Sequence, residues 1–135
     1  MNAKPAPPRA PSPQRYSIAP ARLKAVLRFM DAHFAEQLSL RDLAKVACRS
    51  PWHFNRAFRQ AMGFPPYRYL IDRRIEHAKA LLRESDATVA EIGRRVGFRS
   101  PRHFAAMFQR LVGTSPGRFR HAARPATSTC REGLR

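Results

Sequence analysis

The chain has 135 residues, enough for one compact domain or two small ones packed together. A hydrophobic content of 44% can build a core and excludes wholesale disorder. Lys and Arg number 26 against 9 Asp and Glu, a net charge of +17 that calls for a polyanionic partner, of which a nucleic acid is the simplest.

The surplus is not confined to the ends, because residues 18–123 hold 20 of the basic and 8 of the acidic side chains. Binding to an anionic membrane would need a long exposed amphipathic helix with large apolar residues, and the pattern offers none. No apolar run is long enough to span a membrane, and the opening stretch MNAKPAPPRAPSPQRY lacks a signal-peptide core. Two cysteines, Cys48 and Cys130, do not make a disulfide framework, so a reducing, cytoplasmic setting is expected.

Residues 1–17 carry five prolines and predict an extended, disordered arm. Leu23, Val26, Leu27, Met30 and Phe34 then recur at helical spacing, with Pro20 suited to the first turn. Ser39 is placed to cap a short helix, SLRDLAKVA, with Asp42 at the capping-box position. After a break at Cys48 and Arg49, Ser50 and Pro51 open a helix that buries Phe54, Ala57, Phe58, Ala61 and Met62 and ends at Gly63.

Pro65 and Pro66 start a long central helix whose apolar face carries Tyr67, Leu70, Ile71, Ile75, Ala78, Leu81 and Leu82. Thr88 and Glu91 then repeat the capping box before Val89, Ile92 and Val96, and Gly97 and Phe98 make a second break. Ser100 and Pro101 open a helix burying Phe104, Met107, Phe108, Leu111 and Val112, ended by Gly113. Ser115 and Pro116 start a closing helix through Phe119, and residues 124–135 return to a polar, disordered tail.

Seven helices and no convincing strand make the chain all-α. It also says nearly the same thing twice: SPWHFNRAFRQAMG at 50–63 and SPRHFAAMFQRLVG at 100–113. Each half has a short helix, a tight turn and a second helix with a polar stripe, the outline of a helix-turn-helix. The expected division is a subdomain at 18–64, a linker helix at 65–84 and a second subdomain at 85–123.

The outward stripes differ. In the first copy it is Trp52, Asn55, Arg56 and Arg59, at helical spacing. Arg59 fits a solvated face as well as a contact. Trp52 either plugs a seam to a neighbouring helix or, with Asn55 and Arg56, faces a DNA major groove. There an Arg can donate two hydrogen bonds to guanine and an Asn can pair with adenine. The second stripe is Arg102, Ala105, Ala106 and Gln109, which discriminates bases less well and suits phosphate, helped by Arg99 and the helix N-terminus.

Other chemistries find little support. Cys48 and His53 lie five apart without a second ligand pair, so neither a metal site nor a cofactor is expected. Cys48 reads as a small buried residue in the turn, and His53 and His103, each one before a buried Phe, as packing within the frame. Phosphate-binding glycine loops and nucleophile elbows are missing, and no enzyme is expected.

Over residues 20–121 the chain resembles the DNA-binding domain of the AraC/XylS family of bacterial transcription regulators. The residues that carry the likeness are LRDLAKVA leading to SPWHFNRAFRQAMG, then PPYRYLIDRRIEHAKALLRESD, then VAEIGRRVGFRSPRHFAAMFQRLVGTSPGRFR. The resemblance implies two helix-turn-helix subdomains joined by the long helix and reading successive major grooves of double-stranded DNA. It matches Trp52, Asn55 and Arg56 to base-contacting positions of the first recognition helix and Arg102 to one of the second. Ala105 and Ala106 depart from the polar residues frequent there, Gly93 from Ala, and Arg49 from an apolar residue, the last two bearing on local stability.

With only 17 residues before the first helix, the chain is expected to resemble the small free-standing members, monomers without a small-molecule effector domain. Two function classes follow: a sequence-specific regulator, as an activator touching RNA polymerase, or an architectural DNA- or RNA-binding protein that uses charge alone. Trp52 and Asn55 favour the first, since binding by charge needs neither.

Overall fold

The computed structural model describes residues 17–124, which form seven α-helices and, among those residues, no strand. They are α1 (Pro20–Ala32), α2 (Leu40–Ala47), α3 (Pro51–Met62), α4 (Pro66–Glu84), α5 (Val89–Arg95), α6 (Pro101–Val112) and α7 (Pro116–Ala123). The expected arm and tail, except for Ser17 and Arg124 at their edges, lie outside the described residues.

The helices start where the sequence places their caps. Ser39 Oγ accepts the Asp42 N–H at 3.0 Å while the Asp42 carboxylate accepts the Ser39 N–H at 2.9 Å. Thr88 and Glu91 make the same reciprocal pair at 3.1 and 2.9 Å. The backbone N–H of the capping residue, with smaller help from nearby cations, lowers the pKa of each carboxyl below its usual value. Ser50, Ser100 and Ser115 cap α3, α6 and α7 by accepting N–H groups three residues on. Gly63 and Gly113 end α3 and α6 with φ of 88° and 96°, a left-handed conformation that costs a glycine little.

The chain clusters into two units. Among the described residues, one takes those up to His33 and Leu38–Leu70; the other takes Phe34–Gln37 and those from Ile71 onward. In the first, α2 packs on α1 and α3. Val26, Met30, Leu43, Phe54, Ala57 and Phe58 are buried, and the Phe58 ring meets those of Phe54, Phe64 and Tyr69. In the second, α6 packs on α5 and α7. Ile71, Ile75, Leu82, Ile92, Val96, Phe98, Phe104 and Phe108 form its core, and Phe108 touches Phe104 and Phe119 edge-on.

Several residues differ from expectation, Met107, Leu111 and Val112 among them, which are half-buried rather than buried. Phe34 is not on the α1 face: the helix ends at Ala32, and the ring stacks on His77 of α4, within the same unit, at 3.9 Å between centroids. Ala61 is exposed and Met62 half-buried, because the buried stripe of α3 narrows to Phe54, Ala57 and Phe58 before the Gly63 cap. Tyr67 is 56% exposed in the first turn of α4, where Pro66 and Leu70 take the buried positions. Cys48 is exposed rather than buried, since it is the left-handed C-cap of α2, with φ of 58°.

The two turns are not identical. Ser39 and Ser50, the caps of the first helix pair, stand one residue closer in sequence than Thr88 and Ser100. Cys48 and Gly97 supply the left-handed residue of their respective turns. Phe98 takes the place of Arg49, each N–H donating to the carbonyl five residues back, so the additional residue is Arg99; Phe98 is buried against Phe104.

Candidate nucleic-acid interface

The polar stripe of α3 stands off the buried face as the spacing requires. Phe54, Ala57 and Phe58 are inside, whereas Trp52, Arg56 and Arg59 are exposed and Asn55 is half-buried at the edge. Trp52 is 54% exposed. The Arg56 guanidinium lies over its ring, 5.0 Å from the centroid. Such a contact restrains a long side chain. Asn55, Arg56, Arg59 and Gln60 line one open recess, so amide and guanidinium groups converge on the outer face of the helix.

The first turn of α3 adds a second basic recess, about 510 Å³, bordered by Arg22, Cys48, Arg49, Ser50 and His53. His53 does pack within its frame, its Nδ1 lying 2.9 Å from Ser50 Oγ and its ring edge-on to Trp52. His103 likewise meets Phe98 edge-on.

On α6 the outward residues are Arg102, Ala106 and Gln109, all exposed, with Ala105 half-buried. Arg99 is exposed just ahead of the Ser100 cap, and its Nε donates to Gln37 Oε1 at 3.1 Å. The structure brings the expected residues together within each helix: Trp52, Asn55, Arg56 and Arg59 on α3, and Arg102 and Gln109 on α6, beside Arg99. Phe54, Phe58, Phe104 and Phe108 have no exposed surface beneath them.

Gln37 and Arg74 were not legible as site residues. Arg74, only 6% exposed, donates to the carbonyls of Phe34 and Glu36 at 2.7 and 2.8 Å and lies over the Phe98 ring. Arg120 bonds the Leu82 and Ser85 carbonyls, and Arg124 the Ser85 carbonyl and the Asp86 carboxylate. Part of the basic surplus therefore holds the fold rather than facing outward, which composition alone does not distinguish. The only sequence signal for Arg74 is its place among the apolar positions of α4.

Among the described residues no group of three or more His, Cys, Asp or Glu side chains is arranged to hold a metal ion, and no helix is long and apolar enough to cross a membrane.

A family model described as a helix-turn-helix domain matches residues 43–122. The chain is 36% identical over 100 residues to the HTH-type transcriptional activator RhaS of Enterobacter sp. (strain 638), covering 74% of this chain and 36% of that protein. It is 35% identical over 115 residues to the HTH-type transcriptional regulator GlxA of Rhizobium meliloti (strain 1021), covering 85% and 36%. The chain thus spans about a third of the length of these curated relatives. The crystal structure of the DNA-binding domain of AdpA, a global transcriptional factor, in complex with a target DNA superposes with a TM-score of 0.73. The identity there is 38%, covering 77% of this chain and 94% of that one.

Proposed function

This chain belongs to the AraC/XylS family of helix-turn-helix regulators, and from that premise we propose that it binds a specific sequence of double-stranded DNA and regulates transcription. The observation that carries the specificity is on α3, where Arg56 lies over Trp52 on the exposed face beside Asn55. The side-chain types on this face suit base readout, since an arginine can donate two hydrogen bonds to guanine and Asn55 supplies the group that pairs with adenine. The subdomain at 18–64 reads bases with α3. The subdomain at 85–123 grips the next groove with Arg99, Arg102 and Gln109 on and before α6, and the helix at 65–84 links the two.

Two readers in one chain need no dimer symmetry. The site is therefore asymmetric, bound by a monomer, with two contacts about one helical turn, roughly 34 Å, apart. RhaS carries the name of an activator, and activation by contact with RNA polymerase in the cytoplasm is the corresponding role for this chain.

Selection of bound duplexes from a random pool tests the proposal. A shared asymmetric motif is expected, and Arg56→Ala should weaken binding to it by about 1–3 kcal/mol while leaving random DNA nearly unaffected. Retention of every sequence alike would identify an architectural protein that binds by charge.

A further inference from the structure

The segment between α1 and α2 is held against the α5–α6 turn by contacts spanning about sixty positions of sequence. Arg74 anchors it by donating to the Phe34 and Glu36 carbonyls. The fit is close: a Cβ added at Gly97 would stand 2.7 Å from Arg74 Nε and 3.0 Å from the Ala35 Cα. Gln37 leaves this anchored segment with both ends of its amide engaged. Its Nε2 donates to the Gly97 carbonyl at 2.9 Å, and its Oε1 accepts the Arg99 Nε–H at 3.1 Å.

Arg99 immediately precedes Ser100, the N-cap of the twelve-residue α6. Its Nε is committed to Gln37, whereas its two terminal nitrogens make no hydrogen bond to the described residues. We propose that Gln37 is a positioning residue for phosphate recognition. It fixes Arg99 at the mouth of α6 with the terminal edge of the guanidinium presented to a DNA phosphate oxygen.

The physical gain is entropic. An exposed arginine must otherwise surrender its rotamer freedom when the phosphate binds, and here the side chain is restrained beforehand. The proposal rests on the DNA-binding reading above and adds to it a residue from outside both helix pairs.

The test is equilibrium titration of the full chain with a selected duplex and an unrelated duplex at several salt concentrations. Arg99→Ala is expected to weaken both about tenfold, the loss of one charged hydrogen-bonded contact. It should also make the log–log salt slope shallower by about one. Gln37→Met, which keeps the volume without the amide, is expected to weaken both by about threefold to tenfold. The double variant should bind no more weakly than Arg99→Ala alone, because without Arg99 nothing is left to position.

A merely structural Gln37 would lower affinity equally with or without Arg99, and such additivity, or unaltered binding by Gln37→Met, overturns the proposal. If Gln37→Met unfolds the chain, Arg99→Lys reads the same bracket, keeping the charge but losing the Nε donor. Weaker binding by that variant supports the proposal, and binding equal to the unaltered chain overturns it. If Arg99→Ala has no effect while Arg56→Ala does, this inference fails and the DNA-binding reading stands. Failure of the unaltered chain to bind any duplex sinks both.

Discussion

The ring of Phe104 occupies the space in which a side chain on Gly93 would begin. A Cβ built at Gly93 lies 2.9 Å from Phe104 Cδ2 and 3.0 Å from Cγ. The glycine costs α5 some helix propensity, and it lets the recognition helix α6 approach closely.

Gly93→Ala should therefore destabilise the protein, although Ala is the better helix former. Propensity would add about 1 kcal/mol of stability, whereas overpacking a full core costs about 1–3 kcal/mol. Phe104 has little room to yield, since its ring touches both Phe98 and Phe108. A lower thermal midpoint is expected, and a raised one would show that the ring moves aside.

Phe58 and Phe108 are fully buried at corresponding positions of the two repeats. Truncation of either to Ala should cost about 3–5 kcal/mol. Against a total of ~5–15 kcal/mol for a small domain, each variant becomes marginal. Urea unfolding of both variants checks this, and midpoints like that of the unaltered chain would contradict the packing described.

Cys48 carries a left-handed backbone that glycine adopts without penalty, as Gly97 does in the second turn. Cys48→Gly should raise the thermal midpoint, because relief of about 1 kcal/mol of strain outweighs the entropy added to the unfolded chain. Cys48→Val should lower it, since a β-branched residue tolerates positive φ least. Thermal melting of the two variants should move in opposite directions.

The unequal faces of α3 and α6 make a prediction about DNA. Arg102 is exposed beside Ala105 and Ala106, with few polar neighbours on its stripe to fix its geometry for a base. Arg102→Ala is expected to weaken cognate and random duplexes about equally, with a salt slope shallower by about one. An arginine on phosphate meets the same charge at every sequence, whereas Arg56 on guanine does not. Titrations of both variants on both duplexes decide it. A larger loss of specificity from Arg102→Ala would show that the two halves have exchanged roles.

Acid should loosen both capping boxes. Asp42 and Glu91 have folded pKa values lowered below the ordinary 3.8 and 4.5, chiefly by the N–H groups of Ser39 and Thr88. Their contribution is complete above those ordinary values and is lost as pH falls through the lowered ones. Denaturant midpoints should drop between about pH 5 and pH 2, and the Asp42→Asn, Glu91→Gln double variant should show a smaller drop. An identical acid profile for that variant would remove the caps from the account.

The sequence by itself determined seven helices, most of their starts, the glycine-capped ends of α3 and α6, and the duplicated helix pair. Those features depend on local chemistry: a serine or threonine three residues ahead of the N–H it accepts, a proline in the first turn, a glycine past the last. It also placed Trp52, Asn55, Arg56 and Arg102 on outward faces, because helical spacing alone separates them from Phe54, Phe58, Phe104 and Phe108. The tertiary structure decided what depends on distant partners. Gly93 is required by Phe104, eleven residues on. Phe34 leaves its helical register for His77, and Arg74 and Arg120 spend their charge on carbonyls nearly forty residues away. Gln37 meets Arg99 across 62 positions. No periodicity or motif encodes such meetings, since they arise only once the chain has brought the two segments side by side.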